Sequence, residues 1–441
     1  MFGVRQKFEK IKIEKLVYGG DGLGHLADGR VVFVPDTLPE EEIEIRIKRL
    51  EGDYALGEVK EILRSSDWRI SPACEYLPHC GGCQWQHISY EGQLRLKEEI
   101  LKETLARIAG LSPNLVRKIV PSPETFSYRH KLQFHVQAET GALGFLKRRS
   151  HRLVPIKRCL LAREEINDVL KTLSLSRAWM RLAQVAKRVD LAVSPLEGRV
   201  VFLVWLKLRP NLETIKEFLA EVPKIKAFFY WLRGPTPEGP FPSEASWQGR
   251  RVFPIPKDLL GLERDQVFVA APKVFTQANW SVNLRLIDYV LSLAQGESAL
   301  DLHCGMGNFI IPLATQVKRA LGVDLDDRAI DDALENRRLW GLDNLQFERL
   351  SAAECLWKLT KEAERFDTVL LDPPRSGCKE VVRFLPEVAP EKIIYISCDP
   401  PTLARDLRLL QEVGYQVSHV KPFDMFPQTF HLETVTLLRR A

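Results

Sequence analysis

Residues 297–308, ESALDLHCGMGN, form the stretch of sequence that decides the fold class. The apolar run in its first half predicts a buried strand, and the glycines that follow predict a tight turn into a helix. Strand and helix patterns then alternate, from RALGVDL at 319–325 to ETVTLLRR at 433–440. This alternation predicts a Rossmann-like, doubly wound α/β domain over residues 267–441, whose ligands gather at the carboxyl ends of its strands.

Two other segments precede this domain. Residues 1–64 contain short alternating strand patterns around the turn GGDGLG at 19–24, which predicts a small closed β-barrel of the oligonucleotide-binding type or, as the alternative, a generic β module. Residues 65–266 predict a mixed α+β central domain. A helical pattern at 89–111 lies within this segment, and we expect that helix to pack on the doubly wound domain.

Composition excludes several classes of protein. With 45% hydrophobic and 27% charged residues among 441, the chain is neither a disordered polyelectrolyte nor a membrane bundle. Its longest apolar run falls short of the ~18 residues that a membrane span needs. The N-terminal sequence MFGVRQKFEK lacks the apolar stretch of a signal peptide, so we expect a cytoplasmic protein.

The positive charge is concentrated in the middle of the chain. Residues 65–270 carry 32 Lys and Arg against 21 Asp and Glu, a net charge of +11, whereas residues 1–64 carry −2 and residues 271–441 carry −4. Ten basic and two acidic residues lie between Arg117 and Arg158. This density suits an RNA backbone, and a solvated basic face is the alternative.

The glycine turn after the first predicted strand of the doubly wound domain favours a nucleoside cofactor. Gly305 and Gly307 allow a ligand to approach the backbone, and Asp324 at the end of the next strand can accept ribose hydroxyls. A dinucleotide fingerprint would need a third glycine where Ile310 stands. S-adenosylmethionine is therefore favoured over a dinucleotide and over a purely structural turn.

A nucleophile and a base follow at later strand ends. Cys398 ends the strand KIIYISC, and DPPRSG at 372–377 places Asp372 and Arg375 beside it. Glu433 begins the last strand and is a candidate base. The alternatives are that Cys398 is only a small buried residue at a strand end and that Glu433 is only a solvated surface residue. A cysteine, a carboxylate and a methyl donor are what methylation of uracil C5 needs, because a thiolate must first add to C6.

Four cysteines outside this domain predict a metal site. Cys74, Cys80 and Cys83 are clustered as C-x5-C-G-G-C, and Cys159 follows at a distance. Three clustered cysteines with a distant fourth favour a [4Fe–4S] cluster, while a zinc site and free thiols remain open.

Taken together, these motifs resemble the bacterial 23S ribosomal RNA uracil-5-methyltransferases over the whole chain. The resemblance implies an N-terminal TRAM domain that binds RNA, a [4Fe–4S] cluster on Cys74, Cys80, Cys83 and Cys159, a Cys398 nucleophile and a Glu433 base. It also implies an S-adenosylmethionine site with a defined set of contacts: Gln277, His303, Gly305, Asn308, Asp324 and Asp372.

Four positions depart from the pattern of that family. His303 stands where Phe or Tyr is usual, Asp324 where Glu is usual, Ser351 where Asn is frequent, and Asp399 where Asn commonly follows the nucleophile. These changes bear on affinity more than on the reaction.

The resemblance also implies the substrate. We expect a monomeric enzyme that acts on 23S rRNA and not on DNA or membranes, because the related tRNA enzymes are expected to lack the barrel and the four cysteines. The alternatives are the same chemistry on tRNA or on another rRNA uridine, and a non-catalytic iron–sulfur RNA-binding factor.

Overall fold

The N-terminal segment forms a closed five-stranded barrel. In the computed structural model, which describes residues 8–234, 236–294 and 296–441, the barrel strands are β1 (Phe8–Leu16), β2 (Gly22–His25), β3 (Val31–Val34), β4 (Glu42–Leu50) and β5 (Tyr54–Arg64). They follow the order β1-β2-β3-β5-β4 around the barrel. Alternate side chains such as Ile11, Ile13, Ile43 and Ile45 point inward and form its core. The OB-like barrel is thus confirmed, while residues 1–7 of the predicted segment lie outside the described residues.

A long helix connects the barrel to the rest of the chain. Helix α1 (Tyr90–Ala109) begins at the Ser89 cap, whose hydroxyl accepts the Gly92 N–H, and ends at Gly110 in the left-handed conformation. Its Leu101 and Leu105 are buried in the same core as the catalytic sheet. The helix therefore packs on the catalytic domain.

The central domain is a seven-stranded sheet with helices. Its sheet has the order β12-β11-β10-β9-β6-β7-β8. These strands are β6 (Lys131–Gln137), β7 (Ala142–Leu146), β8 (Leu153–Pro155), β9 (Ala186–Ser194), β10 (Arg199–Leu206), β11 (Ile225–Trp231) and β12 (Glu238–Phe241). The helices are α2 (Glu164–Leu173), α3 (Arg177–Ala183) and α4 (Leu212–Glu221). A two-stranded ribbon follows, with β13 (Arg251–Ile255), the short helix α5 (Lys257–Leu260) and β14 (Gln266–Ala270).

The C-terminal domain is the predicted doubly wound α/β fold. Its strands are β15 (Ser298–Asp301), β16 (Arg319–Asp324), β17 (Leu345–Arg349), β18 (Thr368–Leu371), β19 (Lys392–Ser397), β20 (Tyr415–Phe423) and β21 (Glu433–Arg440). Its helices are α6 (Trp280–Leu293), α7 (Ile310–Ala314), α8 (Asp327–Trp340), α9 (Ala352–Lys361), α10 (Lys379–Val382), α11 (Leu385–Val388) and α12 (Pro400–Glu412). The prediction did not include α6 and α9.

The order of the catalytic sheet determines where a site can form. The strands run β17-β16-β15-β18-β19-β21-β20, with all pairs parallel except those of β21. Separate hydrophobic cores contain residues of α6–α8 and of α9–α12. Because β21 is antiparallel, its first residue lies at the edge where the parallel strands β16, β15, β18 and β19 end. Functional side chains from five strands can therefore meet there.

Within the described ranges, no helix is both long and apolar enough to cross a membrane.

Candidate active site

Strand pairing brings Cys398 and Glu433 together. Ser397 and Thr434 form the last pair of the antiparallel ladder of β19 and β21, so the next residues, Cys398 and Glu433, lie at the same end of the two strands, and the Glu433 charge acts on the Cys398 thiol. The Thr434 hydroxyl donates to the Ser397 carbonyl at 2.9 Å and fixes this register. Glu433 is 3% exposed, which excludes the alternative that it is only a solvated surface residue.

Charged neighbours surround this pair. Burial and, to a lesser extent, the Glu433 carboxylate raise the pKa of the Cys398 thiol to about 11, against the opposing effect of Arg375, which hydrogen-bonds the sulfur. Burial and the nearby Asp372 hold the pKa of Glu433 well above its usual range. Burial also raises the pKa of Asp372 to about 7. The site thus combines a thiol, a cation and two carboxyl groups of raised basicity.

A second group of polar residues lies at the ends of β15 and β16. The Asp301 carboxyl is buried, and its Oδ2 has no hydrogen-bond partner among the residues that the structure describes. The His303 Nε2 is likewise buried without a partner in the same part of the chain. Asp324 accepts the Gly305 N–H at 2.9 Å and the Asp326 N–H at 2.9 Å. Its oxygens retain further acceptor sites, so this edge can bind a polar ligand.

The other two predicted cofactor residues have different surroundings. Gln277 is buried, 5% exposed, in the loop between β14 and α6. The Asn308 side chain makes reciprocal amide hydrogen bonds with Asn283 of α6, at 2.8 and 3.0 Å. The Asn308 amide therefore holds α6 against the glycine turn, which leaves it fewer groups for direct contact with a ligand.

Helix α1 supports the segment that precedes Glu433. Lys97 donates to Asp424 Oδ1 at 2.5 Å, and both side chains are completely buried. Gln93 forms two hydrogen bonds with Gln428, at 2.8 and 3.0 Å. Sequence reasoning missed both contacts, because they join residues more than 300 positions apart and no local pattern indicates them.

The four remaining predicted site residues line one cavity. Cys74, Cys80, Cys83 and Cys159 lie around a volume of about 340 Å³ beside Arg129. Burial raises the pKa of Cys83 to about 12 and also raises those of Cys80 and Cys159. Among the described residues, no three His, Cys, Asp or Glu side chains are arranged to hold a single metal ion.

The predicted basic stretch is partly neutralised by the barrel. Arg148 pairs with Asp21 at 2.7 Å and with Asp36 at 3.5 Å, and Arg149 pairs with Asp21 at 2.9 Å. These arginines join the central domain to the barrel, so their charge is less available to RNA than the sequence predicted. Charge density does not reveal which charges are paired within the fold.

Two family models match the chain. The TRAM domain matches residues 6–60, which include most of the barrel. The tRNA (uracil-5-)-methyltransferase family matches residues 256–441, which include β14 and the doubly wound domain.

Similar proteins match over nearly the full length. An uncharacterized RNA methyltransferase of Thermotoga maritima is 34% identical over 98% of this chain and 99% of its own, and one of Aquifex aeolicus is 33% identical over 99% of both. The Pyrococcus abyssi tRNA (uracil-54, C5)-methyltransferase, solved with S-adenosyl-L-homocysteine, has the same fold, with a TM-score of 0.73 and 24% identity over 97% of this chain and 100% of its own. The chain therefore belongs to a family of RNA methyltransferases, and its C-terminal part matches the tRNA (uracil-5-)-methyltransferase family.

Proposed function

We propose that this enzyme methylates C5 of a specific uridine in 23S rRNA, with Cys398 as nucleophile and Glu433 as general base. The observation that carries the proposal is the register of β19 and β21, which brings Cys398 and Glu433 to the same end of the two strands, together with the Glu433 charge that acts on the Cys398 thiol. The reaction needs both groups on one base at once.

Cys398, Arg375 and Glu433 would act at different steps of the reaction on the uracil. The Cys398 thiolate adds to C6, and the electron pair of the C5–C6 bond then makes C5 nucleophilic. Arg375 favours the thiolate form. After C5 has gained the methyl group, Glu433 takes the C5 proton, and the C6–S bond breaks to return the thiolate. A glutamate with a raised pKa is a stronger base than an exposed one, which suits this step.

The polar edge at β15 and β16 fits S-adenosylmethionine, which supplies an electrophilic methyl group when bound. Asp324 is placed to accept the ribose hydroxyls, and the unpartnered His303 Nε2 and Asp301 Oδ2 are free to bind its polar atoms. Gly305, at φ 54°, has open space where a Cβ would be, so a ligand can approach its backbone. Gln277 and Asp372 complete the proposed contacts.

The cysteine cavity fits a [4Fe–4S] cluster held by Cys74, Cys80, Cys83 and Cys159. A volume of about 340 Å³ whose lining includes four thiols suits a multi-iron cluster better than one zinc ion. The Gly82 N–H donates to Cys80 Sγ at 3.4 Å, as is typical around cluster sulfurs. The half-buried Arg129 would balance the negative charge of the cluster. Such a cluster would link the 74–83 segment to the central domain.

The kind of RNA that the enzyme methylates, 23S rRNA or tRNA, is a separate part of the proposal. The barrel was expected to separate rRNA enzymes from tRNA enzymes, but the Pyrococcus abyssi tRNA enzyme aligns over 97% of this chain, which requires most of the barrel. The part of the argument that rests on the barrel is therefore wrong, whereas the part that rests on the four cysteines stays a prediction, and methylation of a tRNA uridine is the second candidate function. Mass mapping of rRNA and tRNA from cells lacking the gene separates them: loss of one 5-methyluridine in 23S rRNA supports the proposal, and a loss confined to tRNA contradicts it.

The chemistry is tested with RNA that contains 5-fluorouridine. Fluorine cannot leave C5 as a proton, so a stable protein–RNA adduct through Cys398 is expected on a denaturing gel. Replacement of Glu433 by Ala should trap a similar adduct on ordinary RNA, because the C5 proton has no acceptor. Absence of any adduct with the native enzyme would exclude the covalent mechanism.

A further inference from the structure

A turn of the N-terminal barrel reaches the candidate active site. Residues 17–21 connect β1 to β2, and the Tyr18 hydroxyl donates a hydrogen bond to Asp399 Oδ2 at 2.7 Å. Asp399 directly follows Cys398 in the chain. Burial and this hydrogen bond raise the pKa of Tyr18, and the charges of Arg375 and Cys398 also act on it. Tyr18 therefore lies in the electrostatic surroundings of the proposed nucleophile.

The turn that carries Tyr18 is held in place by the central segment and the catalytic domain. The Trp85 indole N–H points at the Gly20 carbonyl at 3.5 Å, and the Asp21 carboxylate pairs with Arg148 at 2.7 Å. A Cβ on Gly20 would lie 3.0 Å from Trp85 and 3.2 Å from Phe430, so the turn packs closely on both. Phe430 also contacts the edge of the Tyr18 ring, with 5.6 Å between centroids. These contacts fix the position of the hydroxyl.

Asp399 connects this hydroxyl to the backbone of the nucleophile. Its Oδ1 accepts the Thr402 N–H at 3.1 Å and caps α12, while its own N–H donates to Ser397 Oγ at 3.2 Å. Cys398 lies between the two residues so fixed. The Asp399 carboxylate belongs to the residue next to Cys398, and the hydrogen bond from Tyr18 disperses its negative charge.

We propose that Tyr18 is a positioning residue for the nucleophile: through Asp399 it orients Cys398 and moderates the charge beside it. The barrel is then a structural part of the catalytic centre in addition to an RNA-binding module. An Asn side chain at this position would still accept the hydrogen bond but would lack the charge, so the substitution Asp399→Asn separates the two effects. The inference rests on the proposed function of Cys398 as nucleophile.

The test uses the full-length Tyr18→Phe variant, which removes only the hydroxyl. The alkylation rate of Cys398 by iodoacetamide is measured against pH by peptide mass, together with kcat and KM for RNA. We expect the alkylation profile to move to higher pH and kcat to fall about tenfold with little change in KM. Tyr415→Phe is the matched control: its buried hydroxyl donates to the Pro390 carbonyl at 3.2 Å, at the opposite end of β19, and both readouts should match the native enzyme.

A second variant isolates the role of the charge. In an Asp399→Asn background, Tyr18→Phe should no longer shift the alkylation profile, because no carboxylate remains beside the thiol. An unchanged profile and kcat in Tyr18→Phe alone, or an equal shift in the Asn background, would overturn the inference. If the 5-fluorouridine adduct still forms through Cys398 in that case, the proposed function stands, whereas its absence in the native enzyme overturns the proposed function itself.

Discussion

The strand-end site and the cysteine cavity each place an arginine beside buried thiols, yet they suit different chemistry. At the strand ends, Arg375 is exposed and contacts the one thiol of Cys398, whose pKa is raised to about 11. In the cavity, the half-buried Arg129 lies near Cys83 and Cys159, and burial raises the pKa of Cys83 to about 12. A single thiol beside an exposed cation suits a nucleophile, whereas four thiols around one cavity suit metal ligands.

The two regions also differ in how the fold builds them. Regular pairing of β19 and β21 sets the strand-end site, so its geometry follows from the sheet. The cavity depends on loops around residues 74–83 and 159, which are held by single contacts such as the Gly81 N–H to the Leu146 carbonyl at 3.0 Å. We therefore expect substitutions in the two regions to have separable effects.

The largest effect should come from Cys398→Ala. Methyl transfer should fall at least about a thousandfold, because no other group can add to C6. Transfer of a labelled methyl group to RNA measures it, and the iron content should not change. Cys355→Ala, which removes a buried thiol from α9, is the control and should keep its activity. Substantial turnover by Cys398→Ala would contradict the assignment of the nucleophile.

The opposite pattern is expected for Cys83→Ala. Loss of one of four ligands should remove most of the iron and the brown colour from anaerobically purified protein, while Cys398 still reacts with iodoacetamide. Iron and sulfide analysis together with the visible spectrum measure this result. A native protein that contains zinc and no iron would contradict the cluster.

Helix α1 follows the 74–83 segment in the chain and supports the segment that precedes Glu433. A substitution of Lys97 tests how much this support contributes to stability. In Lys97→Met, Asp424 stays buried without its partner, and the free energy of unfolding should fall by about 3–5 kcal/mol. Arg95→Met on the same helix breaks an exposed pair with Glu99 and should cost about 0.5 kcal/mol or less. Denaturant unfolding compares the two variants, and equal losses would show that the buried pair has no special role.

The sequence predicted the strand-end residues because strand ends are a regular feature. Once the alternating pattern is assigned, Asp324, Asp372, Cys398 and Glu433 all fall at one edge of the sheet, and the structure places them there. The barrel could also be predicted, since its strands and turns are local patterns. The catalytic and binding roles of these residues remain proposals.

What the sequence could not provide is the set of contacts between distant segments. Tyr18 and Asp399 are 381 positions apart, and Lys97 and Asp424 are 327 apart, so neither pair has a local signal. The sequence indicated Asp301 only as part of the stretch at 297–308. Its unpartnered oxygen becomes evident only in the folded site. The pairing of Arg148 with Asp21 was hidden for the same reason.

The smallest expected effect distinguishes the two arginine–thiol pairs directly. Arg375 lowers the pKa of Cys398 against the effect of burial, so Arg375→Met should raise that pKa and move the alkylation profile of Cys398 by about one pH unit to higher pH. Arg129→Met should leave this profile unchanged, because Arg129 acts on Cys83 and Cys159. Iodoacetamide labelling read by peptide mass separates the thiols. A shift of the Cys398 profile in Arg129→Met but not in Arg375→Met would reverse the comparison and show that the nucleophile is controlled from the cavity.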